Sequence, residues 1–144
     1  MSQQPYVVPG ATLSYAGARA VLDAALAEAA ELGVAVNVSV CDVAGHPLAF
    51  ARMDGAALLS GSIAADKAYT VVAFNGVPTS LWFDMVENEP ALREGIVHRD
   101  RLVIFGGGEP VLLDGTLVGA VGVSGGTAEQ DVQVASAGAA AVSG

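Results

Sequence analysis

From Gly115 to Asp131 the chain reads Gly-Thr-Leu-Val-Gly-Ala-Val-Gly-Val-Ser-Gly-Gly-Thr-Ala-Glu-Gln-Asp, a strand that turns through a glycine-rich corner directly into a helix. Thr116 to Ser124 is uncharged and rich in valine and small residues, which suits a strand covered on both faces or lying against another backbone. Thr127 followed by Gln130 is a capping box, so the next helix starts there. Glycines 119, 122, 125 and 126 give G-x-x-G-x-x-G-G, which is neither the dinucleotide fingerprint nor the phosphate loop. Two readings of these glycines stay open. One is tight packing with a positive-φ turn. The other is a ligand site, because N–H groups from Ser124 to Thr127 at a helix N-terminus favour a carboxylate or phosphate.

A chain of 144 residues is enough for one domain with a proper core. It is 53% hydrophobic and only 15% charged, with a mean hydropathy of +0.53. No apolar run approaches the roughly 18 residues of a membrane span. The excess is therefore expected in subunit contacts, and a homo-oligomer, dimer or higher, is the expected state. A net charge of -9 with six scattered basic residues argues against a nucleic-acid partner. The single cysteine, Cys41, excludes an internal disulfide and a Cys-rich metal site. Met1 to Gly10 has no basic n-region and no apolar h-region, so the cytoplasm is expected.

Residues 1–11 read as an extended lead-in and 12–144 as a single domain. Thr12 or Ser14 opens an alanine-rich helix that ends near Gly33, with two apolar lines around it. Val34 to Cys41 alternates, with Val34, Val36, Val38 and Val40 on one face and Ala35, Asn37, Ser39 and Cys41 on the other. The turn from Asp42 to Pro47 returns the chain as a second strand, Leu48 to Met53. Ala56 to Phe74 is expected to be helical, Ser80 to Glu87 a short helix, and Pro90 to Ile96 another turn of helix. This acidic middle region is a natural lid or interface segment. Leu102 to Phe105 is expected as a short strand, Gly106 to Pro110 as a loop, and Val111 to Leu113 as a strand joined by Asp114-Gly115 to the run described first. The order predicts an α+β domain with a mainly antiparallel sheet.

His46 and His98 have no partner at a ligand spacing, so no metal site is expected. No G-x-S-x-G elbow supports Ser-His-Asp chemistry. An axial donor to tetrapyrrole iron could come from His98, His46, Met53 or Cys41. Proton transfer stays open through Lys67, Glu109 and Asp131, which lie in three segments that can converge at the glycine corner. Lys67 is the only lysine in the chain, and small residues surround it. It reads either as an ordinary ion-pair partner or as a cation beside that corner. Arg52 shares a strand face with Leu48 and Phe50, and it is either a strand-end residue or a carboxylate clamp.

Val40-Cys-Asp-Val-Ala-Gly45, Arg52-Met-Asp-Gly-Ala56, Asp66-Lys-Ala-Tyr-Thr70, Gly107-Gly-Glu-Pro110 and Gly119 to Gly126 with Gln130-Asp131 resemble the GlcG/HbpS family from Thr12 onward. The resemblance implies a profilin-like α+β fold, with a five-stranded antiparallel sheet flanked by helices, and assembly into dimers or larger rings. It implies a small-molecule or tetrapyrrole binding protein with haem as the candidate cofactor. A catabolic isomerase or lyase acting on a carboxylated metabolite is the alternative, with Arg52 as carboxylate clamp and Lys67 as base or amine. The positions carried over by the motifs are Arg52, Asp54, Lys67, Gly107, Gly108, Gly125, Gly126 and Asp131. Glu109 and His98 join them as candidate ligand-binding residues.

Overall fold

A computed structural model describes residues 6–143. The first five positions of the expected lead-in lie outside the described residues, and residues 6–11 are exposed with no helix or strand. Ser14 caps α1 (Tyr15–Leu32), its Oγ accepting the Gly17 N–H at 3.0 Å, and Gly33 closes it at φ 73°. Instead of two apolar lines, one stripe is buried: Ala18, Val21, Leu22, Ala25 and Ala29. Alternation is realised in β1 (Asn37–Asp42), where Val38 and Val40 enter the main core while Cys41 faces the second cluster. The hairpin into β2 (Pro47–Arg52) is held by Asp42, whose Oδ1 accepts the N–H groups of Ala44 and His46 at 3.0 Å each.

Helix α2 (Leu59–Ala73) leads to a single 3-10 turn at Thr79–Leu81, then α3 (Trp82–Val86) and α4 (Pro90–Ile96). β3 (Gly108–Leu113) and β4 (Thr116–Ser124) form a hairpin in which Asp114 and Gly115 both have positive φ, 50° and 80°, the geometry a right-twisted two-residue turn requires. Thr127 then caps α5 (Ala128–Ala140) with the expected capping box.

Among the described residues the sheet has four strands in the order β2-β1-β4-β3, every pair antiparallel, and not five. The missing strand is Leu102 to Phe105. Its Val103 N–H donates to the Thr70 hydroxyl at 3.0 Å, so a side chain of α2 takes the place of a ladder neighbour. Conversely, Gly108 to Pro110, expected in a loop, pair with Gly122 to Ala120 and lengthen β3.

Helices α1 and α5 cover one face of the sheet, where the main core gathers Val21, Leu22, Val38, Val40, Val121, Val123 and Val134. Helix α2 covers the other face through Cys41, Ala68, Val71 and Ala120. It can lie close because Gly122 has no side chain: a Cβ there would run into the Ala64 carbonyl and stand 2.7 Å from the Ala68 nitrogen. No helix among the described residues is long and apolar enough to cross a membrane.

Candidate functional site

Four α2 residues, Asp66, Lys67, Tyr69 and Thr70, fasten the sheet end and the loop before β3. Asp66 pairs with Arg101 at 2.9 Å, and the Arg101 guanidinium lies 4.1 Å from the centre of the Tyr69 ring. The Thr70 hydroxyl donates to the Asp66 carbonyl at 2.8 Å or to the Arg101 carbonyl at 3.0 Å, while accepting from Val103. Lys67 crosses the end of the sheet. Its side chain is 1% exposed, and Nζ donates to the Val123 carbonyl at 2.8 Å and to Asp131 Oδ2 at 3.2 Å. The Phe105 ring lies over the amine at 5.1 Å. Burial pushes Lys67 below its ordinary pKa, with the Asp131 charge and hydrogen bond pulling the other way.

The glycine corner is built around this pair. Gly125 turns the chain at φ 140°, a region closed to residues with a side chain, and Gly107 does so at 127°. A Cβ on Gly107 would lie 2.5 Å from the Val123 oxygen and 2.6 Å from Lys67 Nζ, so the glycine leaves the space in which the amine rests. Two of the N–H groups expected to attract an external anion already have acceptors: Gly126 donates to Asp131 Oδ1 and Thr127 to Gln130 Oε1, both at 2.9 Å. Asp131 is therefore the carboxylate at this helix N-terminus. Gly107 and Gly125 hold positive-φ turns with backbone packed against them, and Lys67 Nζ lies beside this corner. Its burial and pairing speak against its being an open base or Schiff-base amine.

The remaining positions scatter. Gly108 packs beneath α2, where a Cβ would meet the Lys67 carbonyl and the Thr79 side chain, each at 2.7 Å, and its N–H donates to Thr79 Oγ1 at 2.8 Å. Glu109 is half-buried on β3, and burial pushes its carboxyl above the usual range. It has no hydrogen bond to Lys67 or Asp131 in the structure, so the expected triad converges only in two of its members. Arg52 ends the edge strand β2 and Asp54 follows it, both exposed, and His98 is exposed after α4. His46 is exposed in its turn, 3.7 Å from Asp42. Met53 Sδ accepts the Val36 N–H at 3.5 Å, and burial pushes the Cys41 thiol up to about 11. No group of three or more His, Cys, Asp or Glu among the described residues is arranged for a metal ion.

Sequence reasoning passed over Asn37. It is fully buried, its Nδ2 donates to the Ala57 carbonyl at 3.0 Å, and its Oδ1 has no partner among the described residues. The available signal was a carboxamide in a strand whose other face is entirely valine.

Comparison with known proteins agrees with this architecture. The chain is 40% identical over 121 residues to an uncharacterised 15.0 kDa protein of the dhaT-dhaS intergenic region of Citrobacter freundii, covering 84% of this chain and 85% of that one. The crystal structure of Klebsiella pneumoniae ORFY superposes with a TM-score of 0.87 at 32% identity, covering 98% and 97% of the two chains. A crystal structure of a PduOC–haem complex superposes with a TM-score of 0.80 at 34% identity, covering 91% and 95%. Residues 13–140 match the model of the family described as haem-degrading protein HbpS-like, and the chain belongs to that family.

Proposed function

We propose that the protein binds a small molecule or tetrapyrrole, with haem as the ligand. The observation that carries this reading is the likeness to the PduOC–haem complex at 34% identity over 91% of the chain. The donors present fit an iron porphyrin in a limited way. Cys41 is committed to the core and Met53 to Val36, which leaves the two histidines. His46 is drawn to Asp42, so His98, with no side-chain partner among the described residues, is the donor of choice. Phe83, Met85, Leu92 and Val97, all partly in water on α3, α4 and the residue after it, supply apolar surface in the same segment. Haem would supply an iron centre when bound, and His98 with the apolar side chains of α3 and α4 would hold it.

Titrating hemin into the purified protein is expected to give a saturable Soret shift that His98→Ala alters and His46→Ala leaves alone. Absorbance that rises without saturation means partitioning onto apolar surface, and the haem reading then fails. The same exposed side chains, together with Leu81 and Phe74, support assembly into a dimer or larger particle. Light scattering that reports a monomer at micromolar concentration overturns that part.

A further inference from the structure

Three chemical demands stand unmet together where α2 begins. The first is Asn37 Oδ1, buried and without a donor among the described residues. Reversing the amide would set oxygen against the Ala57 carbonyl and orphan the NH2 group instead, so orientation does not remove the demand. Oδ1 faces Gly61: a Cβ there would lie 3.6 Å from Oδ1 and 3.6 Å from the tip of the Phe50 ring, with no closer atom of the chain outside its own helix and neighbours. The second is Arg52, directly across the ladder from Asn37 and so on the same sheet face, exposed and with no ion pair among the described residues. The third is the start of α2 itself. Leu58 caps it without a side-chain hydrogen bond, its first turn has no acid, and the N–H groups of the exposed residues Ala57, Leu58 and Leu59 donate to nothing among the described residues.

Arg52 and the bare helix start both call for an anion. Asn37 Oδ1 calls for a hydrogen-bond donor, and a neutral hydroxyl suits it better than an ammonium, which Arg52 would repel. We propose that this niche binds a small carboxylic acid bearing a hydroxyl group near the carboxylate. The carboxylate lies on Arg52 and the α2 N-terminus, and the hydroxyl donates to Asn37 Oδ1. Phe50, 52% exposed, screens the niche, and a swing of its ring admits the acid. Exposed Asp54, two residues beyond Arg52, is the charge with which an incoming carboxylate competes.

Calorimetric titration with lactate, and with propionate as the same acid lacking the hydroxyl, tests the proposal. Lactate is expected to saturate and to bind about 10-fold more tightly than propionate, the effect of one satisfied hydrogen bond. Arg52→Gln is expected to weaken both acids. Gly61→Ala places a methyl at the point that Oδ1 and Phe50 share. It meets only ordinary contacts in a helix, so the chain stays folded by circular dichroism while the preference for lactate disappears. Lactate that does not saturate, equal binding of the two acids, or lactate binding unchanged in both variants overturns it. Hemin enters neither arm, so the outcome here and the outcome of the Soret titration are read separately.

Discussion

Lys67 and Arg52 are both cations on the side of the sheet that α2 covers, and they live in opposite circumstances. Lys67 is 1% exposed and is held by the Val123 carbonyl, Asp131 and the face of Phe105. Among the described residues Arg52 is exposed and has no ion pair, and its ladder neighbour Asn37 carries an unpartnered oxygen. The difference separates two kinds of polar residue in an apolar domain. A buried charge is tolerated only when every hydrogen-bonding group around it is answered, and then it has little left to offer a ligand. A group left unanswered is where a ligand gains binding energy.

Breaking the answered side gives the largest effects. Asp131→Ala leaves a buried ammonium without its carboxylate and frees the Gly126 N–H, so urea unfolding should show a loss of about 4 kcal/mol. Pairing it with Lys67→Met removes both charges, and the double variant should regain much of that loss. If the single and double variants are equally unstable, the pair is not what holds the corner. Gly107→Ala puts a methyl against the Val123 oxygen and Lys67 Nζ at φ 127°, and should cost about 3 kcal/mol in the same experiment.

Glu109 sharpens the comparison through pH. Its folded pKa is raised by burial above the unfolded value of 4.5, so its contribution is favourable below 4.5 and is lost as pH rises through the folded value. Glu109→Gln should therefore be more stable than the parent at neutral pH, and the gap should close on acidification toward pH 4.5. A gap that does not change with pH would mean that the carboxyl is not the source. The smallest effect belongs to the Asp66–Arg101 pair, with side chains 31% and 40% exposed. Asp66→Asn should cost only about 0.5 kcal/mol, and added salt should shrink even that.

Much of the fold was legible because it rests on local rules. Ser14, Gly33, Thr127 with Gln130, and Asp114-Gly115 each act on neighbours a few residues away, and each does in the structure what its residue type dictates. The valine alternation of β1 likewise follows from the period of an extended chain. Leu102 to Phe105 misled for the opposite reason. Its apolar pattern suits a strand, but the hydrogen-bond partner of Val103 is the Thr70 hydroxyl, thirty-three positions away in sequence.

At the candidate sites the same division holds. Residue type alone marked Lys67, Asp131, Arg52 and the corner glycines as unusual, because a lone lysine and a run of glycines in an apolar chain call for a physical reason. Only the tertiary structure decided that Lys67 and Asp131 answer each other, that Glu109 stands apart from them, and that Asn37 lies across from Arg52 with an oxygen to spare. Hydrogen-bond satisfaction is a property of which distant groups meet, and a one-dimensional pattern carries the demands of each residue without the pairing that meets them.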